Sequence, residues 1–77
     1  MLPASIRIVG KDDIGIVSNI TSVISKEPGV QLRNISVDSN GGSFQGILVI
    51  NISDLRKLNA VIKKISTVKG VREVTRV

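Results

Sequence analysis

The 77 residues are enough for one domain and no more. They include no cysteine and no histidine, which excludes disulfides, thiolate chemistry, imidazole acid–base catalysis and the commonest metal ligands. Eleven Lys and Arg against six Asp and Glu leave a net charge of +5, spread along the chain, as suits either an anionic partner or an ordinary solvated surface.

The apolar content is almost wholly aliphatic, with twelve Ile, eleven Val and a single Phe. Such β-branched residues fit a pleated sheet surface. A chain this short buries roughly 60–65% of its unfolded surface, so self-association is the expected source of further stability. No apolar run approaches roughly 18 residues, so no membrane span is expected. Residues 1–3 lack the basic start and apolar stretch of a signal peptide, and a cytoplasmic location follows by default.

Residues 5–10 (SIRIVG) alternate apolar and polar and predict a strand. Lys11-Asp12-Asp13 interrupts it, after which Ile16, Val17, Ile20, Val23 and Ile24 mark one face of a helix. Asp12 or Asp13 is placed to cap that helix and Pro28-Gly29 to end it. Residues 30–40 return to strand character, but the apolar positions run 30, 32, then 35, 37. A β-bulge near Arg33-Asn34 is the simplest cause of that change of parity. Asn40-Gly41-Gly42 reads as a hairpin turn. Residues 43–52 form the next strand, with Phe44, Leu48, Ile50 and Ile52 on one side and Gln45, Ile47, Val49 and Asn51 on the other. Ser53 is placed to cap a second helix, whose apolar stripe is Leu55, Leu58, Val61, Ile62 and Ile65. Gly70 closes that region and residues 71–77 make a final strand.

The order βαββαβ predicts an α+β, ferredoxin-like fold, a four-stranded antiparallel sheet with two helices on one face. Its open face would carry Val9, Ile47 and Val49. Such a patch meets another chain or stays exposed, and edge strands are open to pairing as well. We expect a homodimer or docking onto another domain.

Catalytic chemistry is hard to assemble from this set. Serines have no histidine to activate them, and the adjacent Asp12 and Asp13 are a weak basis for acid–base work. No phosphate-binding glycine loop is present, and no cofactor or metal is expected. Phe44-Gln45-Gly46-Ile47 echoes acylphosphatases faintly, but no arginine follows and the run sits on a strand. RNA recognition motifs share the element order, yet stack bases on aromatic residues that these strands lack. Backbone contact through Arg7, Arg33, Arg72 and Arg76 would be the remaining route to RNA.

The informative segment is residues 10–17, GKDDIGIV. Gly15 at the helix start lets a backbone approach closely, and first-turn N–H groups favour an anionic group. Asp12 and Asp13 bring negative charge suited to an ammonium, so a zwitterionic amino acid would satisfy both. The other reading is that Gly15 permits close packing and the aspartates only cap.

In its setting, residues 13–21 (DIGIVSNIT), taken with Asp12 before them, resemble the Asp-x-x-Gly-Leu-Leu-x-x-(Ile/Val)-Thr signature of ACT domains, with Ile16-Val17 in place of the leucines. Residues 30–37 and 46–52, Asp54-Leu55, Leu58, Ile62, Ile65, Gly70-Val71, Val74 and Arg76 extend the likeness over nearly the whole chain. The second helix and the Gly-Val-x-x-Val-x-Arg ending are most similar to the C-terminal ACT domain of RelA/SpoT-type GTP pyrophosphokinases. The resemblance implies a single regulatory domain, residues 1–77, cut from the C-terminus of a larger enzyme and not itself catalytic. It implies a small ligand, often an amino acid, bound near the glycine loop at a dimer interface. Carried over by position, the ligand residues are Asp13, Ile14, Gly15 and Ile16, with Asn19 from the first helix, and Asp12 joins them for its charge. Ile14 stands where many relatives have a basic residue or proline, so the ligand's identity does not carry over. Implied partners are a second copy, the other domains of a (p)ppGpp synthetase/hydrolase, and the ribosome. An RNA- or ribosome-contacting module without a small ligand is the alternative.

Overall fold

Alternation carries the chain into β1 (Leu2–Lys11), where Ala4, Ile6 and Ile8 are buried and Ser5, Arg7 and Val9 lie on the opposite face. This is a computed structural model; it describes residues 1–11 and 14–77, without the side chain of Ile14. The strand begins earlier than its own alternation indicates, because Leu2, Pro3 and Ala4 find partners in Ile52, Asn51 and Ile50. In α1 (Ile14–Lys26) the spacing i, i+4, i+8 buries Ile16, Ile20 and Ile24, while Val17 and Val23 flank the stripe half-buried. The expected capping by Asp12 or Asp13 lies outside the described residues.

β2 (Val30–Asn40) and β3 (Ser43–Ile52) form a hairpin whose register shifts between Leu32 and Asn34. Arg33 is the additional residue, so Val30, Leu32 and Ile35 all keep to the helix side, as the change of parity requires. Gly41 and Gly42 form the two-residue loop with φ of 60° and 83°, while Asn40 stays in the strand. Positive φ at both central positions is the geometry whose twist matches the flanking strands.

α2 (Leu55–Ser66) corrects two expectations. Its cap is Asp54 in place of Ser53: the carboxylate accepts from the N–H groups of Arg56 at 2.9 Å and Lys57 at 3.3 Å. Aspartate at this position gives the Arg56 N–H its acceptor, shares the Lys57 N–H with its own backbone carbonyl, and adds a negative charge to the positive helix end. Leu55 is also not part of the inward stripe; it is 56% exposed, and Leu58, Val61 and Ile65 carry the packing. Desolvation pushes the Asp54 carboxyl upward but is outweighed by the hydrogen bonds from the Arg56 side chain and from the Lys57 and Arg56 N–H groups, with the Arg56 charge assisting. Its pKa is therefore lowered. The cap's contribution is full above the ordinary carboxylate range and is lost as pH falls through the lowered value.

β4 (Val71–Arg76) completes an antiparallel sheet of order β2-β3-β1-β4. The sequence β1-α1-β2-β3-α2-β4 is the ferredoxin-like arrangement. The inward residues of β1 and β3 meet the stripes of both helices in one core. Where the helices run together, Lys64 of α2 makes an ion pair with Glu27, the buried polar residue just past the end of α1.

Candidate functional site

β1 ends where β4 begins, since Gly10 opposes Val71 and the Lys11 N–H donates to the Gly70 carbonyl at 2.9 Å. This junction is unusually tight. A Cβ on Gly10 would stand 2.7 Å from the Gly70 oxygen and 2.8 Å from Cε1 of Phe44. A Cβ on Gly70 would collide with Cδ1 of Ile16, and Gly70 itself holds φ +96°. Both glycines are therefore demanded by close approach, and the second by its conformation as well. The turn after α2 is pressed against the first turn of α1, with Ile16 beneath it and only 3% exposed.

Above that contact lies a hollow of about 430 Å³ lined by Lys11, Gly15, Ile16, Asn19, Lys69 and Gly70. Gly15 and Asn19 are four residues apart and share one helix face. Lys11 and Lys69 are exposed at its edge, one from the end of β1 and one from the turn before β4. Two lysines lining a hollow at the first turn of a helix give it a positive charge that favours an anionic group. The Asn19 carboxamide offers both a donor and an acceptor. Ile16 supplies the apolar part of the wall.

Of the residues named from sequence, Gly15, Ile16 and Asn19 come together here. Ile16 is mainly a core residue. Asp12 and Asp13 lie outside the described residues, as does the Ile14 side chain. Lys11, Lys69 and Gly70 were missed. The signal for them was the fold itself: in this topology the last strand lies antiparallel to the first, which brings Lys69-Gly70 to the end of β1.

A larger hollow, about 560 Å³, lies on the open face beside the β2 bulge, lined by Pro3, Arg33, Asn34, Val49 and Asn51 among others. It is a shallow dip between side chains on a sheet surface and lacks a helix start and a tight backbone junction. Val9, Ile47 and Val49 lie on that face as expected, each half-buried. They form a bent line, Val49 and Ile47 following one another along β3 and Val9 of β1 standing diagonal to Ile47, since Val9 opposes Gln45 and Ile47 opposes Arg7. Phe44 points inward at 4% exposure, leaving the open face without an aromatic ring. Arg7, Arg33, Arg72 and Arg76 do not converge: Arg33 sits in the bulge of one edge strand, Arg72 and Arg76 lie on the other edge, and Arg7 is central.

A family model for the ACT domain matches residues 1–76. The chain belongs to the ACT domain family. ACT domains are regulatory and not catalytic. The crystal structure of the ACT domain from the GTP pyrophosphokinase of Chlorobium tepidum is 37% identical, with 99% of this chain and 97% of that one covered and a TM-score of 0.87. An ACT domain protein from Streptococcus pneumoniae shares the fold at 24% identity and a TM-score of 0.71, over 96% of this chain and 88% of that one. The small subunit of acetolactate synthase from Thermotoga maritima shares it at 13% identity and a TM-score of 0.82, over 99% of this chain and 47% of that one. No curated protein sequence gives a significant match. Among the described residues no helix is long and apolar enough to cross a membrane, and no three His, Cys, Asp or Glu side chains gather as a metal site.

Proposed function

We propose that this ACT domain binds an amino acid in the hollow between the start of α1 and the α2–β4 turn, pairs with a second copy, and thereby controls a (p)ppGpp synthetase/hydrolase in the stringent response. The observation that carries the reading is the hollow itself, with two lysines, a carboxamide and a helix start around a tight glycine junction. Lys11 and Lys69, at the positive end of α1, take the ligand carboxylate. Asp12 and Asp13, adjacent in sequence to Lys11, supply the charge for its ammonium. The Ile16 wall favours an aliphatic side chain. The parent enzyme is inferred from the full-length likeness to the ACT domain of the Chlorobium tepidum GTP pyrophosphokinase. A ligand bound at an interface between copies stabilises the pair, and coupling of this kind is of order 1–3 kcal/mol.

The test is an NMR titration of the labelled domain with each amino acid in turn, branched-chain ones first. The expected result is saturable backbone shifts centred on Lys11, Gly15, Asn19, Lys69 and Gly70. Lys69→Ala or Asn19→Ala should weaken binding about tenfold, the cost of one hydrogen bond to a charged group. Unmoved resonances at millimolar amino acid would transfer the function to protein or ribosome contact.

A further inference from the structure

The chain has five asparagines, and only Asn40 is followed by glycine. Asn19, Asn34 and Asn51 precede isoleucine and Asn59 precedes alanine. That neighbour matters because an asparagine side chain is lost through attack by the next residue's backbone nitrogen, which a following side chain shields. Asn40 and Gly41 are both exposed, and nothing lies within 4 Å of the place where a Cβ of Gly41 would be. Gly41 belongs to neither strand, and no backbone carbonyl among the described residues takes its N–H. Asn40 ends β2 but its successor lies in the turn, whereas the residues that follow Asn34 and Asn51 are held within paired strands, and those that follow Asn19 and Asn59 within helices.

We propose that Asn40–Gly41 is a spontaneous deamidation site, by which a neutral side chain on the open face becomes a carboxylate. The Gly41 nitrogen gives up its proton and attacks Cγ of Asn40. A C–N bond forms, the Cγ–Nδ2 bond breaks, and ammonia leaves as a five-membered succinimide closes. Water then opens the ring at one carbonyl or the other, giving aspartate or isoaspartate. No oxidant, reductant or enzyme enters the balance.

The position gives the change a consequence. Asn40 opposes Ser43, and Ser43 opposes Lys11, so the three form one row across the sheet. A new carboxylate would stand two strand spacings, about 10 Å, from the Lys11 backbone. It would also share its face with Asp38, two residues back. The isoaspartate form adds a backbone atom at the Asn40–Ser43 pair that closes the hairpin, and so disturbs that pairing.

The test holds the full chain in mildly alkaline buffer at physiological temperature. The tryptic fragment 34–56, which carries Asn34, Asn40 and Asn51, is followed by mass spectrometry with fragmentation that separates the two isomers. The expected result is exchange of NH2 for OH confined to Asn40, both isomers present, and a single acidic step on isoelectric focusing. Asn40→Gln should abolish the step while leaving the circular dichroism unchanged, since glutamine would need a larger ring. An intact Asn40 in the folded chain, or conversion of Asn34 or Asn51 at the same pace, would overturn the proposal.

Discussion

At the scale of single residues, Gly70 does the most that no other residue could do. It holds φ +96°, sits directly over Ile16, and gives its carbonyl to Lys11. Gly70→Ala meets both backbone strain and a collision with a buried side chain, and should cost about 2–4 kcal/mol. Urea unfolding monitored by circular dichroism measures this directly. A variant as stable as the parent would mean that the junction is loose. In the sequence Gly70 was readable only as the end of a helical region. Its real partner, Ile16, is 54 residues away, and pattern along the chain carries no trace of such a contact. Gly15 was legible from its place at the start of a predicted helix, and Asn19 through the resemblance to ACT domains.

At the scale of elements, periodicity located every strand and helix, and the parity change at Arg33 announced the bulge before any pairing was known. Besides the early start of β1 and the strand position of Asn40, the errors fell at the start of α2. Ser53 and Asp54 are both good caps and adjacent, so the choice between them depends on where the preceding strand releases the chain. Leu55 fits the stripe by spacing but lies in the first turn, beyond the edge of the sheet's cover. The fastening of α2 to α1 by Lys64 and Glu27 was invisible in sequence, since it joins two loosely patterned charges across the fold. Glu27 is buried, whereas the Lys64 side chain is 57% exposed. Removing the lysine strands a buried carboxylate, while neutralising the glutamate leaves a solvated ammonium. Lys64→Met should therefore destabilise by about 1–2 kcal/mol and Glu27→Gln by less. Equilibrium denaturation of the pair reads the order, and the reverse order would show that Glu27 is solvated in solution.

At the scale of the whole molecule, one face of the sheet is covered by helices and the other is bare. The bent line of Val9, Ile47 and Val49 is half-buried by its own neighbours, and a second copy would finish covering it. Ile47→Lys places a charge at the centre of that line on a face where a monomer solvates it freely. It should leave the fold intact and, in the proposed dimer, raise the dissociation constant at least about tenfold, about 1.4 kcal/mol, as read by analytical ultracentrifugation. An unaffected dimer would move the interface to a strand edge.

The pairing of β1 with β4 has a mechanical side. The two strands run antiparallel, Val77 is hydrogen-bonded to Ser5, and the chain's two ends leave from the same end of the sheet, opposite the Lys11–Gly70 junction. Tension applied through both ends loads the β1–β4 hydrogen bonds singly, in the manner of a zip, and not all together in shear. The seam opens first at Ser5–Val77, at low force, and Lys11–Gly70 is the last bond to feel the pull. The hollow beside that bond thus stays whole until the seam has almost run out.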